Sequence, residues 1–359
     1  MMKNLSSQVT QSIFKGVIQC ADKELQLKPT LMGGQCFRWQ QLPQNVSESN
    51  ILKWRGVFNS NVWELSQQDN QLFYEVLCGS SAPSDNSNAK RKRTLKEEKI
   101  SQKKDTFEKQ LTEYLRLDEN LEELYSEWSN RDPIFKQSAV EFYGIRVLKQ
   151  DPVENIFSFI CSTNNNILRI TSMVEKLCRF YGEKIAEIDG TEYYNFPPVS
   201  ALAANGVEEK LRKEGFGYRA KYIHHSAKQI LENGGETWLK KLQSLPYEEA
   251  KQQLMTLSGI GAKVADCICL MSLNHLEAIP VDTHVFQISQ RYLPHLKSCK
   301  TVTDKVYNEI VSHFQNLYGK YAGWAHSVLF CADLRQFQST SNKESSSKSG
   351  KGTKRKLKN

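Results

Sequence analysis

No run of apolar residues in this 359-residue chain approaches the roughly 18–20 needed for a bilayer-spanning helix, so no membrane partner is expected. The opening residues, MMKNLSSQVTQSIFKGVIQC, carry one early Lys followed by polar side chains, a pattern unlike a secretory signal. Cysteine is sparse: nine residues, an odd number, with no CxxC pair. Such usage argues against a disulfide framework and for reduced thiols in a cytosolic or nuclear compartment. What the chain does have is globular material. Its 39% hydrophobic and 10% aromatic residues exclude a mostly disordered protein, and its length suggests two or three domains.

The formal net charge of +8 is unevenly placed. Residues 90–104 carry eight basic and two acidic side chains, and residues 339–359 carry seven and one. The remainder holds 33 basic against 37 acidic groups, so net charge alone reveals no nucleic-acid face on the folded part. Both basic segments are too polar to pack. The first reads as a disordered insertion near 80–105, the second as a disordered tail over 338–359. In the tail, Lys354, Arg355 and Lys356 suit a nuclear import signal, a non-specific phosphate contact or simply a solvated end. The expected location is the nucleus, with a mitochondrial form left open.

Four short segments between residues 24 and 77, ELQLKPTL, ILKWRGVF, NVWEL and QLFYEVL, show partial two-residue alternation and are separated by turn formers, which predicts antiparallel strands. From about residue 105 the period becomes helical. Phe107, Leu111 and Leu115 recur at spacings of four, and Leu121, Leu124, Tyr125 and Trp128 continue the pattern. Further helices are expected at about 134–143, 152–162, 166–181, 219–233, 247–257, 262–273, 283–291, 303–317 and 320–334. Strands followed by helices indicate an α+β chain, mostly α. An N-terminal antiparallel β domain is expected over 1–115 and a helical body over 116–337.

The segment YEEAKQQLMTLSGIGAKVADCICLMSL at 247–273 places Ala250, Leu254 and Leu257 on one helical face, and Val264, Ile268 and Met271 on another. Between them lies Ser258-Gly259-Ile260-Gly261, giving a helix, a tight turn and a second helix. Two glycines this close permit positive φ and close backbone approach to a partner. The free N–H groups opening the second helix suit a phosphate, although an unliganded helix–turn–helix connection has the same pattern.

Here the sequence resembles the helix-hairpin-helix DNA glycosylases, and within them the eukaryotic 8-oxoguanine DNA glycosylase/AP lyases. The matching motifs are GGQCFRW at 33–39, FSFICSTNNNILRI at 157–170, GYRAKY at 217–222, LSGIGAKVAD with CICLM up to 271, PVDTH at 280–284 and YAGWAHSVLFCADLRQF at 321–337. They keep the family's order from about residue 14 to 337. The resemblance implies a two-part helical body with the active site between its parts. The implied activity is excision of 8-oxoguanine, and of formamidopyrimidine-guanine, opposite cytosine, followed by strand cleavage through a Lys Schiff base. It implies a monomer acting on damaged double-stranded DNA, with no redox cofactor and no catalytic metal.

Cleaving an N-glycosidic bond and then the strand needs an amine nucleophile and a group that stabilises positive charge on the sugar. Lys263 sits in the first turn of the second hairpin helix, where the helix dipole disfavours a second positive charge and is expected to lower its pKa. By spacing alone it reads equally as a surface Lys contacting phosphate; the resemblance makes it the nucleophile. Cys267, four residues on along the same face, then lines the base pocket. Asp282 precedes a helical run and suits an N-cap. An ionised carboxylate there also suits stabilisation of an oxocarbenium-like sugar, and the resemblance makes it catalytic.

Extruding a base costs a few kcal/mol and requires a wedge, contacts to the orphaned partner and a pocket. By resemblance, Asn164, Arg169, Tyr218 and Arg219 wedge the duplex and read the opposite cytosine, and His284 contacts a phosphate. Gly34, Pro280, His326 and Phe330 join Cys267 and Asp282 in the base pocket. Gly34 would accept through its carbonyl from N7–H of 8-oxoguanine, a hydrogen that guanine lacks. Bland readings remain for several of these: NNN as a polar loop, His284 as structural and Phe330 as core.

Two positions depart from the family. His326 stands where Gln is usual and offers one donor and one acceptor on opposite sides of the ring, so a shift toward ring-opened lesions is expected. Ser258 stands where the hairpin commonly has Pro, at an expected cost below about 1 kcal/mol. Relatives that carry an iron–sulfur cluster need four closely spaced C-terminal cysteines, whereas Cys299 and Cys331 are isolated. The alternative from another class is a non-catalytic helix-hairpin-helix DNA-binding protein, which would leave Lys263 outside any pocket.

Overall fold

The computed structural model describes residues 12–43, 51–78 and 103–334. The expectations for the basic insertion up to residue 102, and for the tail with Lys354, Arg355 and Lys356, lie outside the described residues. Five strands form one antiparallel sheet: β1 (Ser12–Gln19), β2 (Gln40–Gln41), β3 (Lys53–Phe58), β4 (Asn61–Gln68) and β5 (Gln71–Cys78). They lie in the order β1-β5-β4-β3-β2. Two-residue turns join β3 to β4 and β4 to β5. Asn59 and Ser60 adopt φ of 46° and 57°, and Asp69 and Asn70 adopt 52° and 59°, the doubly positive geometry that matches strand twist.

Alternation along the strands sorts two apolar sets. Trp54, Phe58, Trp63, Leu65 and Tyr74 share one face with Trp39, and helix α2 (103–115) covers them with Phe107, Leu111 and Leu115. Val57, Val62 and Leu77 point the other way, against Ala186 and Ile188 of a separate hairpin formed by β6 (Lys184–Ile188) and β7 (Thr191–Tyr194).

The helical body comprises α3 (Leu121–Arg131), α4 (Pro133–Ala139), α5 (Pro152–Ser162), α6 (Ile167–Tyr181), α7 (Val199–Leu202), α8 (Val207–Lys213), α9 (Arg219–Glu232), α10 (Glu236–Leu242), α11 (Tyr247–Met255), α12 (Ala262–Ser272), α13 (Thr283–Tyr292), α14 (Asp304–Tyr318) and α15 (Ala322–Asp333). Helix α12 is buried throughout 264–272, as its mostly apolar sequence favours, with Asp266 the one charged side chain in that stretch, and it packs against α5 and α11. Arg146, 1% exposed, ties the sheet lobe to this body by donating to the carbonyl oxygens of Glu24 and Glu119 and to the Glu24 carboxylate.

Several local expectations differ from the structure. ELQLKPTL contains no strand; its second half is helix α1 (Leu27–Met32). Pro29 falls in the first turn, where no N–H is needed, and Leu27 and Leu31 bury the same face. Strand β1, the β6–β7 hairpin and the short helices α7, α8 and α10 were not expected. The helix placed at 134–143 runs from Pro133 to Ala139.

The hairpin itself, α11–turn–α12, forms as expected. Gly259 has φ +82°, and a Cβ there would lie 2.5 Å from the Tyr222 ring, so no larger residue fits. The turn is held from α9: the Ser258 N–H donates to Gln229 Oε1 at 2.8 Å, and the Ser258 carbonyl accepts from Ser226 Oγ at 2.7 Å. Hydrogen bonds thus take over the restraint a Pro would supply.

Candidate active site

The segments that carry the expected residues meet around one cavity, open at its mouth, which Ile145 and, from α5, Phe159 also line. The loop after α1 brings Gly34, α12 brings Lys263 and Cys267, the approach to α13 brings Pro280 and Asp282, and α15 brings His326 and Phe330. All seven residues expected for chemistry and base binding therefore line a single space. The wall from α1 means that the sheet lobe contributes to it, as well as the helical parts.

Each segment has a local reason for its placement. Gly34 has φ +85°, a left-handed conformation that favours glycine. The adjacent Gln35 is buried and fixes the loop: its Nε2 donates to the carbonyls of Thr30 and Arg146, both at 2.8 Å, and its Oε1 accepts from the Leu148 N–H at 2.9 Å. Lys263 is the second residue of α12, after Gly261, and its ammonium lies 5.2 Å from the centroid of the Phe159 ring on α5, within cation–π range. Asp282 caps α13, its carboxylate accepting from the Val285 N–H at 2.9 Å. A capped carboxylate has fixed orientation and one satisfied oxygen, which leaves the other for the cavity.

Burial shapes the remaining groups. The Cys267 thiol is pushed up to about 11 by burial, against the opposing pull of the Lys263 ammonium beside it, so at neutral pH it is a protonated, weakly polar wall. His326 is 3% exposed, and burial holds its imidazole down at about 4 despite the Asp282 carboxylate. It is a neutral ring at physiological pH, and its Nε2 has no hydrogen-bond partner among the described residues. Phe314 packs edge-on against it at 5.5 Å. Phe330, half-buried, stands one turn along α15 and meets the exposed ring of His284 edge-on at 6.0 Å.

The other expected residues gather on the surface just beyond α5. Asn164 is exposed with φ 46°, Arg169 donates to the Gly215 carbonyl at 3.1 Å, and the exposed Tyr218 donates to the Thr163 carbonyl at 3.1 Å. Arg219 differs from its neighbours: it is 3% exposed, with its guanidinium donating to the carbonyls of Thr163 and Asn164. In this state it braces the loop that presents Asn164. Phe159 and Gln35 were quoted in motifs but not singled out. Their signal, an aromatic and an amide inside conspicuous motifs, becomes readable only once the cavity is known.

Among the described residues no group of three or more His, Cys, Asp or Glu side chains could hold a metal ion, and no helix is long and apolar enough to cross a membrane.

A helix–Gly-turn–helix with a Lys opening its second helix, facing a helix-capping Asp across a cavity, defines the helix-hairpin-helix class of base-excision proteins. Residues 157–315 match the HhH-GPD superfamily of base excision DNA repair proteins, and residues 17–156 match the 8-oxoguanine DNA glycosylase N-terminal domain. The chain is 39% identical over 316 residues to the N-glycosylase/DNA lyase OGG1 of Arabidopsis thaliana, covering 87% of this chain and 78% of the relative. It is 33% identical over 345 residues to the N-glycosylase/DNA lyase of Saccharomyces cerevisiae, covering 89% and 86%. The fold is similar to the 8-oxoguanine glycosylase/lyase of Clostridium acetobutylicum bound to double-stranded DNA with cytosine opposite 8-oxoG, at TM-score 0.69 and 27% identity over 89% of this chain and 93% of that one. The chain belongs to the 8-oxoguanine DNA glycosylase family of the helix-hairpin-helix superfamily.

Proposed function

We propose that this protein is a bifunctional DNA glycosylase and AP lyase that removes 8-oxoguanine, and formamidopyrimidine-guanine, from opposite cytosine in duplex DNA. The observation that carries the reading is the enclosure of Lys263, Asp282 and Phe330 in one cavity. A non-catalytic DNA-binding role has no use for an amine facing a carboxylate across such a space.

The flipped base enters between Phe330 and the Gly34 loop, with Pro280, Cys267 and His326 around its edges. In its unprotonated form the Lys263 amine bonds to C1′ as the C1′–N9 bond breaks and the base leaves. The Asp282 carboxylate, held by its cap, stabilises positive charge on the sugar as that bond stretches. Opening of the sugar ring gives a Schiff base, and loss of a C2′ proton expels the 3′-phosphate. Asn164, Arg169, Tyr218 and Arg219 engage the duplex around the vacated position, and His284 a phosphate. The protein acts as a monomer in the nucleus, and its binding weakens with added salt as phosphate contacts displace counterions.

Borohydride trapping on a duplex with 8-oxoguanine opposite cytosine tests the reading. The wild-type protein forms a covalent adduct, and Lys263→Gln forms none. An undiminished adduct in the variant refutes Lys263 as the nucleophile, and failure of the wild-type protein to form any adduct refutes the function.

A further inference from the structure

One buried ionic cluster beside the cavity has no part in the chemistry above. Asp266, fully buried on α12, lies between Lys263 and Cys267 in sequence without lining the cavity. Its carboxylate accepts from Tyr247 Oη at 2.6 Å, from Lys251 Nζ at 3.0 Å, and from Tyr307 Oη. Tyr247 and Lys251 belong to α11, and Tyr307 to α14. A carboxylate with an ammonium and two hydroxyls is satisfied, yet a buried pair of this kind is weak evidence for stability, since apolar replacements of similar volume often do as well.

Tyr307 suggests another use for the cluster. Its hydroxyl oxygen lies 3.3 Å from both the Val281 N–H and the Ile279 carbonyl. A phenol has one proton, and the carboxylate, charged and closer, takes it. The hydroxyl therefore accepts from Val281 while donating to Asp266. The result is a chain of bonds from Val281 N–H through Tyr307 Oη to Asp266. Val281 is flanked by Pro280 and Asp282, both on the cavity wall. Among the described residues no backbone–backbone hydrogen bond joins 279–282 to α12, so this side-chain chain is the polar link between the element carrying the amine and the element carrying the carboxylate.

We propose that Tyr307 and Asp266 are positioning residues that set the spacing of Asp282 from Lys263. The inference rests on the catalytic reading above. Its test is Tyr307→Phe, which keeps the ring and removes only the hydroxyl. Tyr247→Phe is the control, because it takes a hydroxyl from the same carboxylate but leaves the 279–281 segment tied. The wild-type protein and both variants are assayed for single-turnover release of 8-oxoguanine, with active sites titrated by borohydride trapping. Affinity is measured on a duplex carrying a tetrahydrofuran abasic analogue. Tyr307→Phe is expected to slow base release per active site by about tenfold or more, since small displacements of reacting groups cost rate heavily. Its duplex affinity, and both quantities in Tyr247→Phe, stay within about twofold of wild type, the signature of an interaction made toward the transition state. A Tyr307→Phe rate within that range, or an equal fall in both variants, overturns the positioning role. An inactive wild-type protein instead removes the catalytic reading itself.

Discussion

The sheet lobe and the surroundings of the hairpin both bury large side chains, but of opposite character. On the inner face of the sheet, Trp39, Trp54, Phe58, Trp63 and Tyr74 pack with Leu65 and Leu72, and Phe58 stacks on Trp63 at 4.4 Å. Two of its buried indole N–H groups find nearby partners, Trp39 on Tyr114 Oη and Trp63 on the Phe58 carbonyl, while Trp54 Nε1 has none among the described residues. Around the cavity, Asp266, Lys251 and His326 are buried as well. Burial pushes the Asp266 carboxyl above its ordinary range against the pull of Lys251, Tyr247 and Tyr307. The first arrangement follows from the transfer of apolar surface out of water. The second costs desolvation and is worth keeping only where polar groups must be oriented. Substitutions should accordingly separate: stability without chemistry in the lobe, chemistry with little stability at the cavity.

The largest expected effect is on the lobe side. Trp63→Ala removes a fully buried indole and should destabilise the fold by about 3–5 kcal/mol in urea titration, while base release per folded molecule stays unchanged. A slower rate per folded molecule would break the separation. On the cavity side, Asp282→Asn keeps a good capping residue but loses the charge. Base release should fall about a hundredfold, or roughly 3 kcal/mol, with stability changed by less than about 1 kcal/mol.

His326 lies on the border between the two behaviours. Its folded value of about 4 lies below the ordinary 6.5, so between those values the unfolded chain binds more protons and stability falls as pH falls. From neutral pH down to 5 the loss attributable to this ring is about 2 kcal/mol. In His326→Gln that part of the acid slope should vanish from denaturation curves, and the ratio of formamidopyrimidine to 8-oxoguanine excision should drop. An unchanged slope and ratio would leave the ring with neither role. The smallest effect concerns the turn. Because the Ser258 N–H is bonded to Gln229, Ser258→Pro should destabilise by about 1 kcal/mol, and the penalty should disappear in a Gln229→Ala background, as thermal melts would register.

That last case shows where reading the sequence failed. A missing Pro looked like a small loss, since the compensating Gln229 lies 29 residues away and an amide on a helix surface carries no mark of its partner. ELQLKPTL misled for a related reason: alternating leucines describe a strand or the approach to a short helix equally well, and the choice was made by burial of Leu27 and Leu31. By contrast the hairpin, the α13 cap and the long helices were legible, because their signals are local. Gly259 and Gly261, Asp282 ahead of a helical run, and leucines at helical spacing all act within one or two turns. The expected site residues were named from motif order, and the structure gathers seven of them around one cavity. Gln35, Phe159 and Tyr307 went unnoticed because their importance lies in contacts across the fold.

Taken alone, the sequence determined the order of sheet and helices, the glycine-bent hairpin and the family, since periodicity, turn chemistry and motif spacing are properties of short stretches. Only the tertiary structure decided that His326 is a neutral buried ring, that Arg219 turns onto loop carbonyls and that Asp266 reaches Val281 through Tyr307. Burial and the identity of a hydrogen-bond partner depend on which distant segments meet, and that is set when the chain closes on its core.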